Sequence, residues 1–200
     1  MCFSKEVDCL GASTTVNVIR GMQFPEKMKI GDLIPGDYIS VYDFKNKKTK
    51  WDIVYYIRNN QLKEIPQISI TTEDNDVIVG TKEHLIYVNT EDGFKRIRFD
   101  KVEKDMSLLK ISTENTLAPV KINEIRDVHD LPISPTTPAG NLCLGNKRVL
   151  TSCWSHSEEN AKKMDAFNIF SSIFTKILPA SWSSKMTQVC YDNIIRPIIR

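Results

Sequence analysis

The chain has 200 residues, enough for one domain with a full core, or one domain with an appendage, and too few for a second independent enzyme domain. Charged residues make up 26% at a net charge of +2, with Lys and Arg scattered among acids, which gives no electrostatic basis for a nucleic-acid partner. The five cysteines, Cys2, Cys9, Cys143, Cys153 and Cys190, are too few and too irregular for a disulfide scaffold or a zinc ribbon, and at least one thiol stays unpaired within the chain. No run of about 18 apolar residues marks a membrane span, and no apolar leader opens the chain.

Residues 1–8 form a short polar lead. From Thr14 to about Val128, brief runs of β-branched and aromatic residues alternate with Gly, Pro, Asn and Asp, which predicts an all-β unit of many short strands. Thr15–Ile19, Tyr38–Tyr42, Trp51–Ile57, Gln67–Ile70 and Pro119–Ile125 are strand candidates, and the Lys- and Asn-rich stretch 45–50 is a solvated hairpin tip. A weak internal repeat runs through this region. Residues 29–41, Lys-Ile-Gly-Asp-Leu-Ile-Pro-Gly-Asp-Tyr-Ile-Ser-Val, and residues 99–111, Phe-Asp-Lys-Val-Glu-Lys-Asp-Met-Ser-Leu-Leu-Lys-Ile, each place a turn before a strand, then a polar hairpin and a second strand. The pattern predicts two pseudo-symmetric halves.

Between them, Val77-Ile78-Val79-Gly80-Thr81-Lys82-Glu83-His84-Leu85-Ile86-Tyr87-Val88 reads as a strand, a tight reversal at Gly80, and a second strand, a hairpin with Thr81 and His84 held at its turn. Residues 131–140 read as a Pro-rich connection. Asn141–Leu144 and Arg148–Ser152 then form a hairpin turning at Gly145-Asn146, which delivers Cys153 and Trp154. From Ser157 the period becomes helical: Ala161, Met164, Phe167, Phe170, Ile173, Phe174, Ile177 and Leu178 share one face until Pro179. Residues 155–200 are read as an amphipathic helical tail that docks on the β domain or meets a membrane surface; its polar face is mixed in charge.

The chemistry starts at Cys9, which precedes a small-residue turn, Leu10-Gly11-Ala12-Ser13, into the first strand. A thiol so placed can attack the carbonyl of its own preceding peptide bond, Asp8-Cys9, if another group protonates the departing amine. Thr81 and His84 are suited to that work. Taken singly, a Cys and a distant Thr-x-x-His more often mean an inert buried thiol and a hydrogen-bonded turn.

Cys9 with its small-residue turn, the Ile30-Gly31-Asp32-Leu33-Ile34-Pro35-Gly36-Asp37 segment, Thr81-x-x-His84, and Thr137-x-x-Gly140 running to Ser152-Cys153-Trp154 occur in one order. Together they resemble the Hint, or hog, autoprocessing domain of hedgehog-type proteins over about residues 9–154. The resemblance implies an all-β, horseshoe-like module of two related halves with a C-terminal helical appendage. It implies that Cys9 attacks Asp8 to form a thioester, with His84 protonating the amine and Thr81 holding the strained bond. No cofactor is needed for that step. A second nucleophile, a sterol in hedgehog proteins proper, or another alcohol, a thiol or water, then takes the acyl group. The substrate is the chain's own N-terminal segment, and the compartment of the family is the secretory pathway and the extracellular space. Cys153 is an auxiliary thiol, able to receive the acyl group, to pair with Cys9, or simply to close the sheet.

Three features depart from that family. Arg58 stands where an Asp activates the sterol, and a permanently protonated guanidinium is no general base. Asp8 replaces a Gly before the nucleophile, and residues 1–8 read as a remnant or truncated N-terminal segment. Inteins share the fold and the Thr-x-x-His block but end in a His-Asn pair; His129 here precedes Asp130 and no His-Asn pair occurs, so cleavage without splicing is expected. A non-enzymatic Hint-fold module, serving as a binding or structural domain, is the alternative.

Overall fold

The computed structural model describes residues 9–21, 24–54, 56–58, 63–146 and 148–153. Residues 155–200, predicted to form an amphipathic helical tail, and Asp8 lie outside them. The described chain is all-β, as the sequence predicts. Its strands are β1 (Leu10–Gly11), β2 (Thr15–Ile19), β3 (Glu26–Lys29), β4 (Tyr38–Asp43), β5 (Lys48–Ile53), β6 (Tyr56–Arg58), β7 (Ile65–Thr72), β8 (Val77–Gly80), β9 (Leu85–Thr90), β10 (Gly93–Arg98), β11 (Ser107–Ile111), β12 (Leu117–Asp130), β13 (Pro132–Thr136), β14 (Asn141–Leu144) and β15 (Val149–Ser152). They form one curled sheet in the order β5-β4-β2-β14-β15-β9-β11-β12-β7-β8-β1-β13-β6, with β3 beside β2 and β10 beside β9. The long β12 lets the sheet curl: it pairs with β11 over its first five residues and with β7 from Ile122 onward, with a register shift between Ile122 and Glu124. A bulge of this kind bends a strand from one sheet face to another.

The alternation in β2, with Val16 and Val18 buried and Thr15, Asn17 and Ile19 at the margin, is the period-2 pattern of a half-buried strand. The apolar interior gathers Leu10, Val18, Ile30, Ile39, Ile70, Ile78, Ile86, Phe99, Leu108 and Leu142 from both halves into one core.

The two halves repeat the same turn. Three-residue 3-10 turns at Ile30–Asp32 and Phe99–Lys101 enter from Lys29 (φ −73°, ψ 145°) and Arg98 (φ −72°, ψ 150°). Leu33 N donates to the Ile30 carbonyl as Val102 N does to that of Phe99, both at 3.2 Å. Ile30 N donates to Thr14 O (2.7 Å) and Phe99 N to His84 O (2.9 Å). Gly31 N donates to Ala12 O (3.0 Å) and Asp100 N to Lys82 O (3.2 Å). The predicted repeat is therefore real, and the only bridge between β1 and β8, Leu10 opposite Gly80, joins residues that are equivalent under it.

Three expectations are corrected. The stretch 77–88 is not a hairpin: β8 pairs with β7 and β1, whereas β9 pairs with β10, β11 and β15. Residues 81–84 are a crossover between different parts of the sheet. Gly80 does not take a positive φ; a Cβ there would sit 3.0 Å from the Phe99 ring, so the glycine admits an aromatic side chain and does not make a reversal. Residues 132–136, read as part of a Pro-rich connection, are strand β13 between β1 and β6. The strand is short, so two residues without an amide hydrogen are accommodated. Finally, the candidate strand Trp51–Ile57 breaks at Val54, whose amide donates to Asp37 O and whose carbonyl accepts from Gly36 N, both at 2.7 Å.

Candidate active site

Cys9 is buried immediately before β1, and the four-residue turn that follows, Gly11 to Thr14, is tightly fixed. Thr14 N closes it onto the Gly11 carbonyl at 3.0 Å, and the Asp130 carboxylate accepts from Ser13 N (3.0 Å) and the Ser13 hydroxyl. A Cβ at Gly11 would lie 2.5 Å from both Asp130 Oδ2 and Val79 Cγ1, so the approach of β1 to β8 requires glycine here.

Thr81 meets Cys9 directly. The Cys9 amide donates to Thr81 Oγ1 at 3.1 Å, Thr81 N donates to the Cys9 carbonyl at 2.9 Å, and the Thr81 hydroxyl lies 3.3 Å from that same carbonyl. The Cys9 amide nitrogen is the nitrogen of the Asp8-Cys9 bond, so a hydroxyl grips the group that an N-to-S shift would release.

His84 follows at the end of the same turn, its amide donating to the Thr81 carbonyl at 3.0 Å. Its ring is buried, stands edge-on to Phe99 with centroids 5.6 Å apart, and has Nε2 2.8 Å from Thr151 Oγ1. Thr14 is its equivalent in the first half, and Thr14 Oγ1 accepts from Val79 N at 2.9 Å. Val79 in turn is equivalent to Cys9. By that backbone correspondence His84 holds the position in its half that Thr14, bonded to Val79, holds in the other.

Cys153 ends the hairpin of β14 and β15, two residues beyond Thr151. Its Sγ is 3.4 Å from Thr137 Oγ1, and its amide donates to the Gly140 carbonyl at 3.2 Å. Gly140 (φ 66°) closes the 137–140 turn through its own amide on Thr137 O, 3.1 Å. The Thr-x-x-Gly segment therefore serves to seat Cys153. Cys143 is buried in β14, and burial pushes its thiol up to about 12, which removes it as a nucleophile at neutral pH.

Arg58 lies on β6 opposite Ser134, separated from β1 by β13. Asp52, which the sequence reading does not single out, accepts from Ala139 N at 3.1 Å within the same 137–140 turn. Burial raises its carboxyl above the ordinary range, partly offset by Lys50 at 3.6 Å. Thr151 and Asp130 were also missed. Only Asp130 has a local signal, an acid at a strand end before Pro132; Thr151 is one more β-branched residue in a strand. No cluster of His, Cys, Asp and Glu suited to a metal ion occurs among the described residues.

A curled all-β half-barrel of two related halves, with a cysteine entering its first strand beside a Thr-x-x-His crossover, defines a Hint-fold module. The chain belongs to the Hint module family, whose model matches residues 2–195. Solved structures agree in fold. A transcription factor IIB mini-intein (Mvu) shares 17% identity over 73% of this chain and 99% of its own, with a TM-score of 0.61. A DnaB intein from Synechocystis shares 13% identity over 74% and 99%, with a TM-score of 0.60. The bacterial intein-like domain from Clostridium thermocellum shares 17% over 73% and 99%, with a TM-score of 0.56. No curated protein sequence matches the chain.

Proposed function

We propose that this module cleaves its own chain at the Asp8-Cys9 bond. The reading is carried by the hydrogen bond from the Cys9 amide to Thr81 Oγ1, since it engages the nitrogen that must leave. The Cys9 thiol gives its proton to the His84 imidazole and its Sγ attacks the Asp8 carbonyl carbon. The tetrahedral adduct collapses with loss of the C–N bond, His84 delivers a proton to the departing Cys9 nitrogen, and the Asp8 acyl group is left on sulfur as a thioester. Thr81 accepts from the N–H while the amide planarity is being lost, which keeps the nitrogen turned toward its proton donor. Nothing in this step draws on a cofactor.

In the second step a nucleophile takes the acyl group from Cys9: water, a thiol, or an alcohol such as the sterol used by hedgehog-type proteins. Arg58 supplies no base for an alcohol. Asp52, whose carboxyl burial raises above the ordinary aspartate range and whose side chain is attached to the turn that seats Cys153, is the carboxylate suited to accept that proton. The tail, residues 155–200, is the segment that would present a lipid acceptor or a membrane surface.

The test is a fusion of a reporter protein ahead of the full chain. Dithiothreitol or hydroxylamine should release the reporter at Asp8, and Cys9→Ala or His84→Ala should abolish release. Labelled sterol on the released reporter would identify the acceptor. An intact parent fusion would overturn self-cleavage and leave a binding or structural module.

A further inference from the structure

Thr151 contributes to none of the recognisable motifs, yet its side chain joins two elements of the site. Its Oγ1 is 2.8 Å from His84 Nε2 and 2.9 Å from the Leu85 carbonyl oxygen, with the Ser152 carbonyl farther away at 3.5 Å. A hydroxyl has one proton to give. Given to Nε2, it leaves the hydroxyl oxygen and the Leu85 oxygen facing each other at 2.9 Å with no hydrogen between them, at a residue with no solvent exposure. Given to Leu85, it frees a lone pair on Oγ1 to accept from Nε2–H, and both short contacts become hydrogen bonds. Pairing of Thr151 with Ile86 sets the height of the hydroxyl, and the edge-on Phe99 ring sets the plane of the imidazole.

We propose that Thr151 is a positioning residue that fixes His84 in the Nε2–H tautomer, so that Nδ1 is the ring nitrogen that gains and delivers the proton at the Cys9 amide. The consequence for rate rests on the self-cleavage reading; the tautomer itself does not. The proton path is complete: Nδ1 takes up a proton from the thiol or solvent, passes it to the leaving nitrogen, and Nε2–H stays on Thr151 throughout.

The tautomer is read from nitrogen NMR of the full chain carrying Cys9→Ala and labelled histidine, with the His84 signals assigned by their loss in His84→Gln. In the neutral imidazole, Nε2 should be the protonated, pyrrole-type nitrogen. Thr151→Val should convert the ring to a mixture of tautomers, and Thr151→Ser should restore the single form. In the reporter fusion, Thr151→Val should slow release about tenfold, a part of the ~100-fold or more that a positioned acid contributes, with Thr151→Ser close to the parent. A protonated Nδ1 in the parent, or a Thr151→Val protein with unchanged tautomer and rate, would overturn the proposal. A fusion that never cleaves while Nε2 remains protonated in a Thr151-dependent way upholds the assignment and defeats the self-cleavage reading instead.

Discussion

Thr14 and His84 occupy the same position in the two halves of the sheet. Each amide closes a turn onto the residue three before it at 3.0 Å, and each carbonyl accepts the amide that opens the following 3-10 turn. One half uses the position to brace its partner strand, since Thr14 Oγ1 accepts from Val79 N at 2.9 Å and lies 3.3 Å from Val79 O. The other places an imidazole there. Thr14→Val should therefore lower stability by about 1–3 kcal/mol, the cost of leaving buried backbone groups unsatisfied, as read from urea unfolding. His84→Ala should lower self-cleavage by roughly 100-fold or more while the sheet remains folded. A Thr14→Val protein with unchanged stability would mean that the brace contributes nothing.

Gly80 links packing to chemistry. A methyl group there would press on Phe99 at 3.0 to 3.2 Å, and Phe99 holds the His84 ring edge-on. Gly80→Ala should cost about 1–3 kcal/mol through overpacking and also slow reporter release, because the displaced ring carries His84 with it. Full activity in a folded Gly80→Ala protein would show that Phe99 does not set the imidazole plane.

Asp37 explains the Gly-Asp turn motif. Its carboxylate is 1% exposed and accepts from Arg20 Nε and Nη2, both at 2.8 Å, and from Ile34 N at 2.9 Å. Arg20→Ala strands that buried carboxylate and should destabilise the fold by about 3 kcal/mol, measured by chemical unfolding at neutral pH. Adding Asp37→Asn to Arg20→Ala should recover part of the loss, since no buried charge then remains.

Asp52 gives a pH dependence of defined sign. Burial raises its carboxyl in the folded state above the unfolded value, so over the window between the two the folded chain keeps a proton that the unfolded chain has released. Stability from this group is full below the ordinary aspartate range and falls as pH rises through the raised value. Relative to Asp52→Asn, the parent should lose stability on going from acid toward neutral pH and change no further beyond it. Parallel stability curves for the two proteins would contradict this.

The sequence by itself determined the class of fold, the repeat and the chemical vocabulary of the site. Strand β2 and the β14–β15 hairpin follow from alternation and turn residues, whereas Cys9, Thr81 and His84, weak signals singly, stand out because they occur in order with the Gly-Asp turn and the Ser-Cys-Trp end. The strand and turn signals are local, and the site is legible only as the order of short motifs along the chain. The tertiary structure alone decided which strands neighbour one another: that β8 and β9 diverge, that the Pro-containing 132–136 segment is a strand, and that Thr81 reaches Cys9 across 72 residues and Thr151 reaches His84 across 67. Such pairings depend on register summed over the whole curled sheet, because a one-residue slip in any strand turns every side chain to the other face. No window of the chain contains that information.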